Sequence, residues 1–315
     1  MRLRSWSPEP ADVPRYWPLV RDGSLCGPAE RDRVLGLWQH VLASRCGEAV
    51  ILESEGDLPA SSRPVGFGIS AFVTDRFAEH LRSRRPPCVV RQVLDWAGEG
   101  ASPLVDRAAL EAGNAGEGLT AVMLHPVAVA EDLGEREADA VSQRMVEAIV
   151  DAHRGYRLKE FMAEAGGRRG VEVGMRMGLR LRADPGDDPP VLLGITRDEG
   201  QLAPGTFAFA LFSYSEPRLA LTPSEQDLLR RALGGRTDED LARDLGRAVA
   251  TVKKRWAGIY ARVDALEPGL PGVSSEGRGA SPGRGVERRR RLVQYAREHP
   301  EELRPTLRPR SRPRG

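Results

Sequence analysis

Lysine is scarce in this chain. Only three of the 47 basic residues are lysine, at positions 159, 253 and 254. A phosphate-binding P-loop needs a lysine after glycine, but Lys159 follows Leu158. A response-regulator receiver needs an acidic pair after its first strand, where this chain has Ser7-Pro8-Glu9. The sequence therefore argues against an ATP-driven regulator and against phosphorylation control of the receiver type.

Cysteine, histidine and long apolar runs are also sparse. Cys26, Cys46 and Cys88 have neither an even count nor CxxC spacing, which is typical of a reducing compartment. The five histidines are scattered, so we expect no metal site and no cofactor. No apolar run reaches the roughly 20 residues that span a membrane, and the first residues form no apolar signal segment. These features predict a cytoplasmic protein that does not interact with membranes.

Charge divides the chain into an acidic front and a basic back. Residues 219–315 hold 21 Lys+Arg and 13 Asp+Glu, a net charge of +8. Because the whole chain carries +2, residues 1–218 carry −6. A length of 315 residues suits two domains. The asymmetry predicts that the second half binds nucleic acid.

Residues 221–263 read as three short helices. Thr222 and Glu225 form a capping box at the first start, Gly234 and Gly235 end that helix, and Thr237 marks the second start. In the third helix an apolar stripe recurs at helical spacing: Val252, Trp256, Ile259 and Val263. This order predicts an all-α helix-turn-helix domain over 219–265, with a recognition helix at about 249–262 in the major groove of double-stranded DNA.

The face opposite that stripe supplies the candidate contacts. Lys254 lies nearly opposite the core residues, among small side chains that let a helix sit deep in a groove. The candidate DNA-binding residues are Thr251, Lys253, Lys254, Arg255, Arg247 and Arg262. The alternative is an ordinary solvated helix face.

This segment resembles the DNA-binding domain of LuxR-type transcription regulators over about 45 residues. The resemblance is carried by LTPSE at 221–225, the run at 237–242, Leu245-Gly246, 251–253 and Ile259-Tyr260. It implies Thr251 and Lys253 at the DNA backbone or groove edge and Lys254 in base contact. The chain departs from the family at Ala248, which cannot cap a helix, and at Ala257, where a polar groove contact is missing. Residues 267–284 read as a loop where a dimerising fourth helix should follow.

A basic tail follows the predicted helix-turn-helix domain. We expect a flexible loop at 266–285, a basic helix at 286–299 and a disordered Arg/Pro-rich tail at 300–315. The helix carries four candidate accessory phosphate contacts: Arg288, Arg289, Arg290 and Arg291. The alternative is a solubilising surface.

Residues 1–215 alternate predicted strands and helices. The strands are placed at 3–6, 48–55, 65–73 and 120–130, with a closing hairpin at 191–195 and 206–213. The helices are placed at 11–21, 29–43 and 135–165, with a break of the last one at Gly155 left open. The loops are placed at 113–118 and 183–190. The fold class is therefore α+β: an α/β sensor-like domain with a mostly antiparallel sheet, then the helical domain and its basic helical or disordered tail.

The first domain resembles two folds weakly. Residues 11–14 and 65–68 look like pieces of an N-acetyltransferase fold, yet the Arg/Gln-x-x-Gly-x-Gly/Ala loop that cradles the diphosphate of acetyl-CoA is missing, and 168–171 do not supply it. A GAF-like sensor is the alternative. Candidate ligand contacts are Trp17, Trp38 and Trp96, which could equally be core, and the polar run 153–157, which could simply end one helix.

These observations predict a two-domain transcription regulator that is not an enzyme. Its front domain would sense a small molecule or a protein through a population shift, and a homodimer is possible. Two alternatives stay open: an acyltransferase-like enzyme domain fused to a DNA-binding module, and a protein–protein adaptor that binds DNA.

Overall fold

The computed structural model describes residues 2–20, 30–55, 63–83, 88–98, 100, 102–129, 133–183, 190–266 and 284–305. The chain divides into a first unit, Met1–Ser213, and a second unit, Tyr214–Gly315. Within the described ranges, no helix is both long and apolar enough to cross a membrane.

A seven-stranded sheet forms the centre of the first unit, with the order β1-β2-β3-β4-β5-β7-β6. The strands are β1 (Arg2–Trp6), β2 (Gly47–Glu55), β3 (Arg63–Val73), β4 (Leu119–Val129), β5 (Leu158–Ala165), β6 (Arg180–Ala183) and β7 (Val191–Thr196). Every neighbouring pair is antiparallel except β4 and β5, which are parallel. The prediction of an α+β chain with a mostly antiparallel sheet is confirmed.

Helices cover both faces of this sheet, because its central strands are buried on both sides. The helices of this unit are a 3₁₀ helix (Pro10–Leu19), α1 (Arg31–Ser44), α2 (Asp75–Ser83), α3 (Val89–Gly98), α4 (Arg107–Ala115), α5 (Glu135–His153), α6 (Gly167–Arg176), α7 (Arg197–Gln201) and α8 (Phe207–Leu211). The 3₁₀ helix, α1, α2 and α3 pack on one face, around Trp38 and Phe67. The helices α5 and α8 pack on the other, around Met145 and Phe161.

The predicted helix at 135–165 is half wrong. The helix α5 ends at His153, Gly155 adopts a φ of 83°, and the chain returns as strand β5. A left-handed glycine reverses the chain at little cost, so a helix and a strand can meet there. The consequence is large, since β5 carries the two buried carboxyls Glu160 and Glu164.

The predicted closing hairpin is also wrong in its second strand. The strand β7 pairs with β6, and residues 207–211 form α8 instead. The hydroxyl of Thr206 accepts the Phe209 N–H at 3.3 Å, which is a helix-start signal in an apolar stretch. The predicted loop at 183–190 lies almost wholly outside the described residues.

The second unit is helical: α9 (Pro223–Ala232), α10 (Asp238–Asp244), α11 (Val249–Leu266), α12 (Arg284–Glu298) and a 3₁₀ turn (Pro300–Leu303). Thr222 and Thr237 cap their helices through capping boxes, as the sequence predicted. The core combines both ends of the unit, since Leu292, Ala296 and Leu303 are buried with the stripe of α11.

The tail is ordered further than the sequence predicted. Glu302, Leu303 and Arg304 are buried, so 300–305 belongs to the packed unit and not to a disordered tail. The predicted disorder at 306–315 and most of the predicted loop at 266–285 lie outside the described residues.

Candidate functional site

The strands β4 and β5 separate partway along the sheet. They pair from Leu119 with Leu158 as far as Met123 with Ala163. Beyond that point β4 continues to Val129 against β3 alone, and β5 continues to Ala165 against β7 alone. The facing edges therefore leave backbone N–H and C=O groups with no ladder partner on the described strands, which is a template for an extended ligand. We call this place the strand opening.

A β-bulge lies at the strand opening. Ile69 pairs with His125 while the next residue, Ser70, pairs with Met123, so Leu124 is an extra residue in β4. A bulge re-aims the side chains next to it. Here Leu124 packs into the core on the Trp38 face, and His125 lies beside the rings of Trp38 and Phe67.

His125 is a buried, neutral imidazole. It is 2% exposed, with ring centroids 5.6 Å from Trp38 and 6.1 Å from Phe67. Burial lowers the pKa of His125 to about 3, so the ring carries no charge at neutral pH. Neither ring nitrogen has a hydrogen-bond partner among the described residues.

Other buried polar atoms among the described residues of this unit also have no hydrogen-bond partner. The Trp38 Nε1, the Tyr16 hydroxyl and both polar atoms of the Gln92 amide have no partner within the described part of the chain. Tyr16 stacks on Phe67 at 6.2 Å, and burial, followed by the charge of Glu53, raises the pKa of Tyr16 to about 12. Tyr16, Trp38, Phe67 and His125 are named the His125 cluster. Because buried polar groups are nearly always satisfied, this cluster implies bound water or a ligand.

Glu164 stands on β5 one residue beyond its last pair with β4. It is 7% exposed and accepts the Val89 N–H, at the start of α3, at 2.7 Å. Burial raises the pKa of Glu164 to about 7, although that hydrogen bond lowers it. A carboxyl that titrates near neutral pH is suited to general base chemistry. Glu160, on the same strand, differs because Arg82 pairs with it at 2.6 Å.

The start of α5 follows β4 in the chain, and a helix start is a place where a phosphate group can bind. The Gly134 N–H donates to the Glu137 carboxylate at 3.3 Å, and Glu135 adds a second acid in the first turn. Carboxylates thus already occupy the positive end of the helix dipole. Nor does Arg168 reach this place, since it pairs with Glu172 within α6 at 2.9 Å. The residues present do not fit the diphosphate of acetyl-CoA.

The ligand contacts predicted from sequence fall mainly in the core. Trp38 is fully buried, and Trp17 and Trp96 pack partly buried on the same core. In the predicted polar run, His153 is buried, with Nε2 2.8 Å from the Ser70 hydroxyl. The Tyr156 hydroxyl donates to Glu48 at 2.7 Å. His153 and Tyr156 therefore tie the end of α5 to the sheet, and a ligand contact by this run stays a prediction.

The predicted DNA contacts divide into two groups. Lys253 and Lys254 are exposed on α11, and no acidic side chain of the described residues pairs with either. Arg247 is exposed as well, while Thr251 and Arg255 are half-buried. The structure brings these five residues to α11 and the turn before it.

The remaining predicted contacts are held inside the second unit. Arg262 pairs with Glu225 at 3.4 Å. Arg288 contacts Asp264 at 2.5 Å and lies over the Tyr260 ring, and Arg289 pairs with Asp238 at 2.7 Å and lies over Trp256. Arg290 and Arg291 both pair with Glu287. Their role as phosphate contacts stays a prediction, one in which phosphate must compete with these acids.

No group of metal-ligating side chains occurs within the ranges that the structure describes. Sequence reasoning missed Glu164, His125, Tyr16 and Gln92. Its only usable signal was the break at Gly155, which could have separated β5 from α5.

Comparisons with known proteins give weak structural likeness only. No protein-family model and no curated protein matches the chain. Among solved structures, the C-terminal condensation domain of Ebony in complex with beta-alanyl-dopamine is 8% identical, with a TM-score of 0.38, and the match covers 62% of this chain and 99% of that one. The KacTA–DNA complex is 12% identical, with a TM-score of 0.32 and coverage of 64% and 98%. A Drosophila melanogaster polyamine N-acetyltransferase is 12% identical, with a TM-score of 0.29 and coverage of 62% and 100%.

These structures are acetyltransferase-like folds, and none of the three is a LuxR-type regulator. The identification of the chain as a LuxR-type regulator is therefore corrected. The same finding overturns the predictions of a sequence-specific transcription regulator with a sensor domain and of a chain that is not an enzyme. The LuxR resemblance covers only about 45 residues, whereas most of the chain belongs to the unit that folds around the seven-stranded sheet.

Proposed function

We propose that the first unit transfers an acyl group to an amine acceptor at the strand opening. The observation that carries this proposal is the position of Glu164, a buried carboxyl with a pKa of about 7, directly beyond the last paired residues of β4 and β5. A general base works best when its pKa lies near the working pH. The acceptor amine is the small-molecule partner of this unit.

In the proposed reaction, the amine nitrogen attacks the carbonyl carbon of the acyl donor and forms the new C–N bond. The leaving group departs with the electron pair of the bond that breaks, and Glu164 accepts the proton from nitrogen. The unpaired backbone groups of β4 beyond Met123 bind the donor in an extended form. His125, which stays neutral, supplies a polar wall without adding charge.

The decisive variant is Glu164→Gln, which keeps the shape of the side chain and removes the base. Acyl transfer from a panel of acetyl thioesters to a panel of primary amines would be followed by mass spectrometry of the product. We expect the rate to fall about 100-fold or more, because positioned bases contribute about 10² to 10⁴. The rise in rate with pH near 7 should disappear as well.

Glu160→Gln is the matched control, since Glu160 is equally buried on the same strand and is held by Arg82. It should keep most of the activity. Equal losses in the two variants would point to lost stability and would contradict the role of Glu164. No acylated amine from the unmodified chain with any thioester would overturn the proposal.

A second proposal concerns the second unit, which we infer to be a DNA-binding module attached to the acyltransferase-like unit. It is supported by the contrast on α11, where Lys253 and Lys254 are exposed without acidic partners while the arginines of α12 are paired. Unpaired cations lose little when they meet phosphate, so double-stranded DNA is the partner that fits them. Arg247, Thr251 and Arg255 would complete the contact.

The double variant Lys253→Ala/Lys254→Ala tests this module by fluorescence anisotropy with a DNA duplex at several salt concentrations. We expect the affinity to fall about tenfold at low salt. The slope of log K against log salt should become less negative by about 1.8, which corresponds to two lost phosphate contacts. Arg290→Ala removes one exposed charge that Glu287 already pairs, and should change affinity less than twofold. No duplex binding by the unmodified chain would overturn the second proposal.

A further inference from the structure

The proposed acyl transfer needs a donor at the strand opening, but the residues present do not fit a phosphorylated one. We infer that the acyl donor of this unit carries no phosphate and is an uncharged thioester on an amide-containing chain. This inference rests on the proposed acyl transfer and names its donor.

The first argument is the start of α5. A diphosphate held there would need free N–H groups and positive charge. Instead the Gly134 N–H is donated to Glu137, and Glu135 lies in the same turn. A diphosphate brought to this point would face these carboxylates, and like charge disfavours it.

The second argument is the chemistry of the His125 cluster. Its unpaired donors are the indole N–H of Trp38 and the hydroxyl of Tyr16, both uncharged. The imidazole of His125 is also neutral, because burial lowers its pKa to about 3. None of the four members of this cluster is a cation. Arg15 lies over the Tyr16 ring at 5.9 Å, and the acids Glu53 and Asp12 act on the same ring with the opposite charge.

Such a cluster matches carbonyl oxygens rather than anions. A buried anion needs a paired cation or several donors, whereas an amide or thioester oxygen needs only one or two neutral N–H or O–H groups. The unpaired edge of β4 offers backbone N–H and C=O groups in alternation along the strand, which suits the amides of an extended ligand. Each of these features favours an uncharged, amide-containing chain.

Acetyl-pantetheine and acetyl-CoA form the sharpest pair of probes, because they share the thioester and the amide chain and differ in the phosphorylated nucleotide. Calorimetric titration of the full chain with each, at 50 mM and 200 mM salt, measures the contribution of the phosphates. We expect acetyl-pantetheine to bind at least as tightly as acetyl-CoA, with a Kd that changes less than twofold with salt. Acetyl-CoA binding ten times more tightly would overturn the inference.

Two variants test which residues disfavour the phosphates of acetyl-CoA and which bind the chain of acetyl-pantetheine. Glu135→Gln/Glu137→Gln removes the acids at α5 and should tighten acetyl-CoA binding about tenfold while leaving acetyl-pantetheine unchanged. Glu172→Gln, on the exposed face of α6, is the control and should change neither. Trp38→Phe removes one N–H from the His125 cluster and should weaken acetyl-pantetheine about fivefold. An unchanged affinity for acetyl-CoA in the first variant, or for acetyl-pantetheine in the last, would count against the inference.

Product analysis distinguishes the proposed acyl transfer from the inferred chemistry of the donor. If acetyl-CoA proves the better donor and acylated amine forms, the donor is phosphorylated and acyl transfer stands. If acetyl-pantetheine binds without forming product, acyl transfer fails and the assigned ligand chemistry stands. If neither thioester binds, both are overturned.

Discussion

Two buried glutamates, one in each unit, differ in the number of hydrogen-bond donors that surround them. Glu164 in the first unit is 7% exposed and receives a hydrogen bond from the Val89 N–H. Glu302 in the second unit is 1% exposed and receives three, from the Arg218 N–H at 2.8 Å, the Leu219 N–H at 2.9 Å and the Tyr295 hydroxyl at 3.1 Å. Burial raises the pKa of both, but the three donors around Glu302 oppose that rise.

The difference separates a group kept for chemistry from a group kept for structure. A carboxylate with three donors is satisfied and ties distant parts of the chain together. A carboxyl with one donor retains capacity for a substrate. The number of donors, and not burial itself, distinguishes the two sites.

The largest effect should come from breaking the satisfied site. Glu302→Ala would leave the buried Leu219 N–H, the Arg218 N–H and the half-buried Tyr295 hydroxyl without this acceptor, and such a loss costs about 1–3 kcal/mol where the group is buried. We expect the second unit to lose about 3 kcal/mol or more of its unfolding free energy. Hydrogen exchange of the full chain, read on peptides of each unit, would measure it. Glu239→Ala, an exposed acid of α10, is the control. A second unit as stable as before would refute the structural role.

A smaller, pH-dependent effect should mark Glu164. Its folded pKa of about 7 exceeds the ordinary value of 4.5, so its stabilisation is complete below pH 4.5 and is lost as pH rises through 7. At about 1.4 kcal/mol per pKa unit, that loss reaches about 3 kcal/mol at most. Glu164→Gln cannot ionise and should hold the first unit's stability level from pH 5 to 8. Glu117→Gln, an exposed acid, should follow the unmodified chain. Identical pH curves for all three would contradict the raised pKa.

The smallest effect compares two tyrosines. Tyr295→Phe removes a hydroxyl that donates to Glu302 and should cost the second unit about 1 kcal/mol. Tyr16→Phe removes a hydroxyl without a partner in the described structure, and should leave the first unit within about 0.5 kcal/mol. Equilibrium denaturation with hydrogen exchange on both units would show this. A loss at Tyr16 as large as at Tyr295 would mean that the hydroxyl is already satisfied, against the assignment of a ligand site.

The sequence predicted those strands whose residues follow the apolar pattern that is typical of a buried strand. Predicted segments 48–55, 65–73 and 120–130 fall within a residue or two of β2, β3 and β4, because apolar runs bounded by turns are typical of buried strands. Strand β5 was not predicted, because Glu160 and Glu164 are buried at positions where the strand pattern requires apolar side chains. Their partners, Arg82 and the Val89 N–H, come from other elements, and only the tertiary fold shows them.

The same reason explains the missed site. A β-bulge adds one residue to one strand of a pair, and the local sequence around His125 contains no signal that predicts it. The helix starts of the second unit were predictable because a capping box is a local signal over four residues. Local chemistry could therefore be predicted from the sequence, and the strand opening, which depends on long-range pairing, could not.

The contact between Glu302 and the backbone of Leu219 also has a consequence for biosynthesis. Leu219 lies near the start of the second unit and Glu302 lies 83 residues later, so the unit cannot finish folding until its last helical turn has left the ribosome. A chain that stops before Pro300 would contain α9 to α12 without the Glu302 acceptor and without Leu303, which belongs to their core. Such a product should be cleared by proteases rather than persist as a smaller working module.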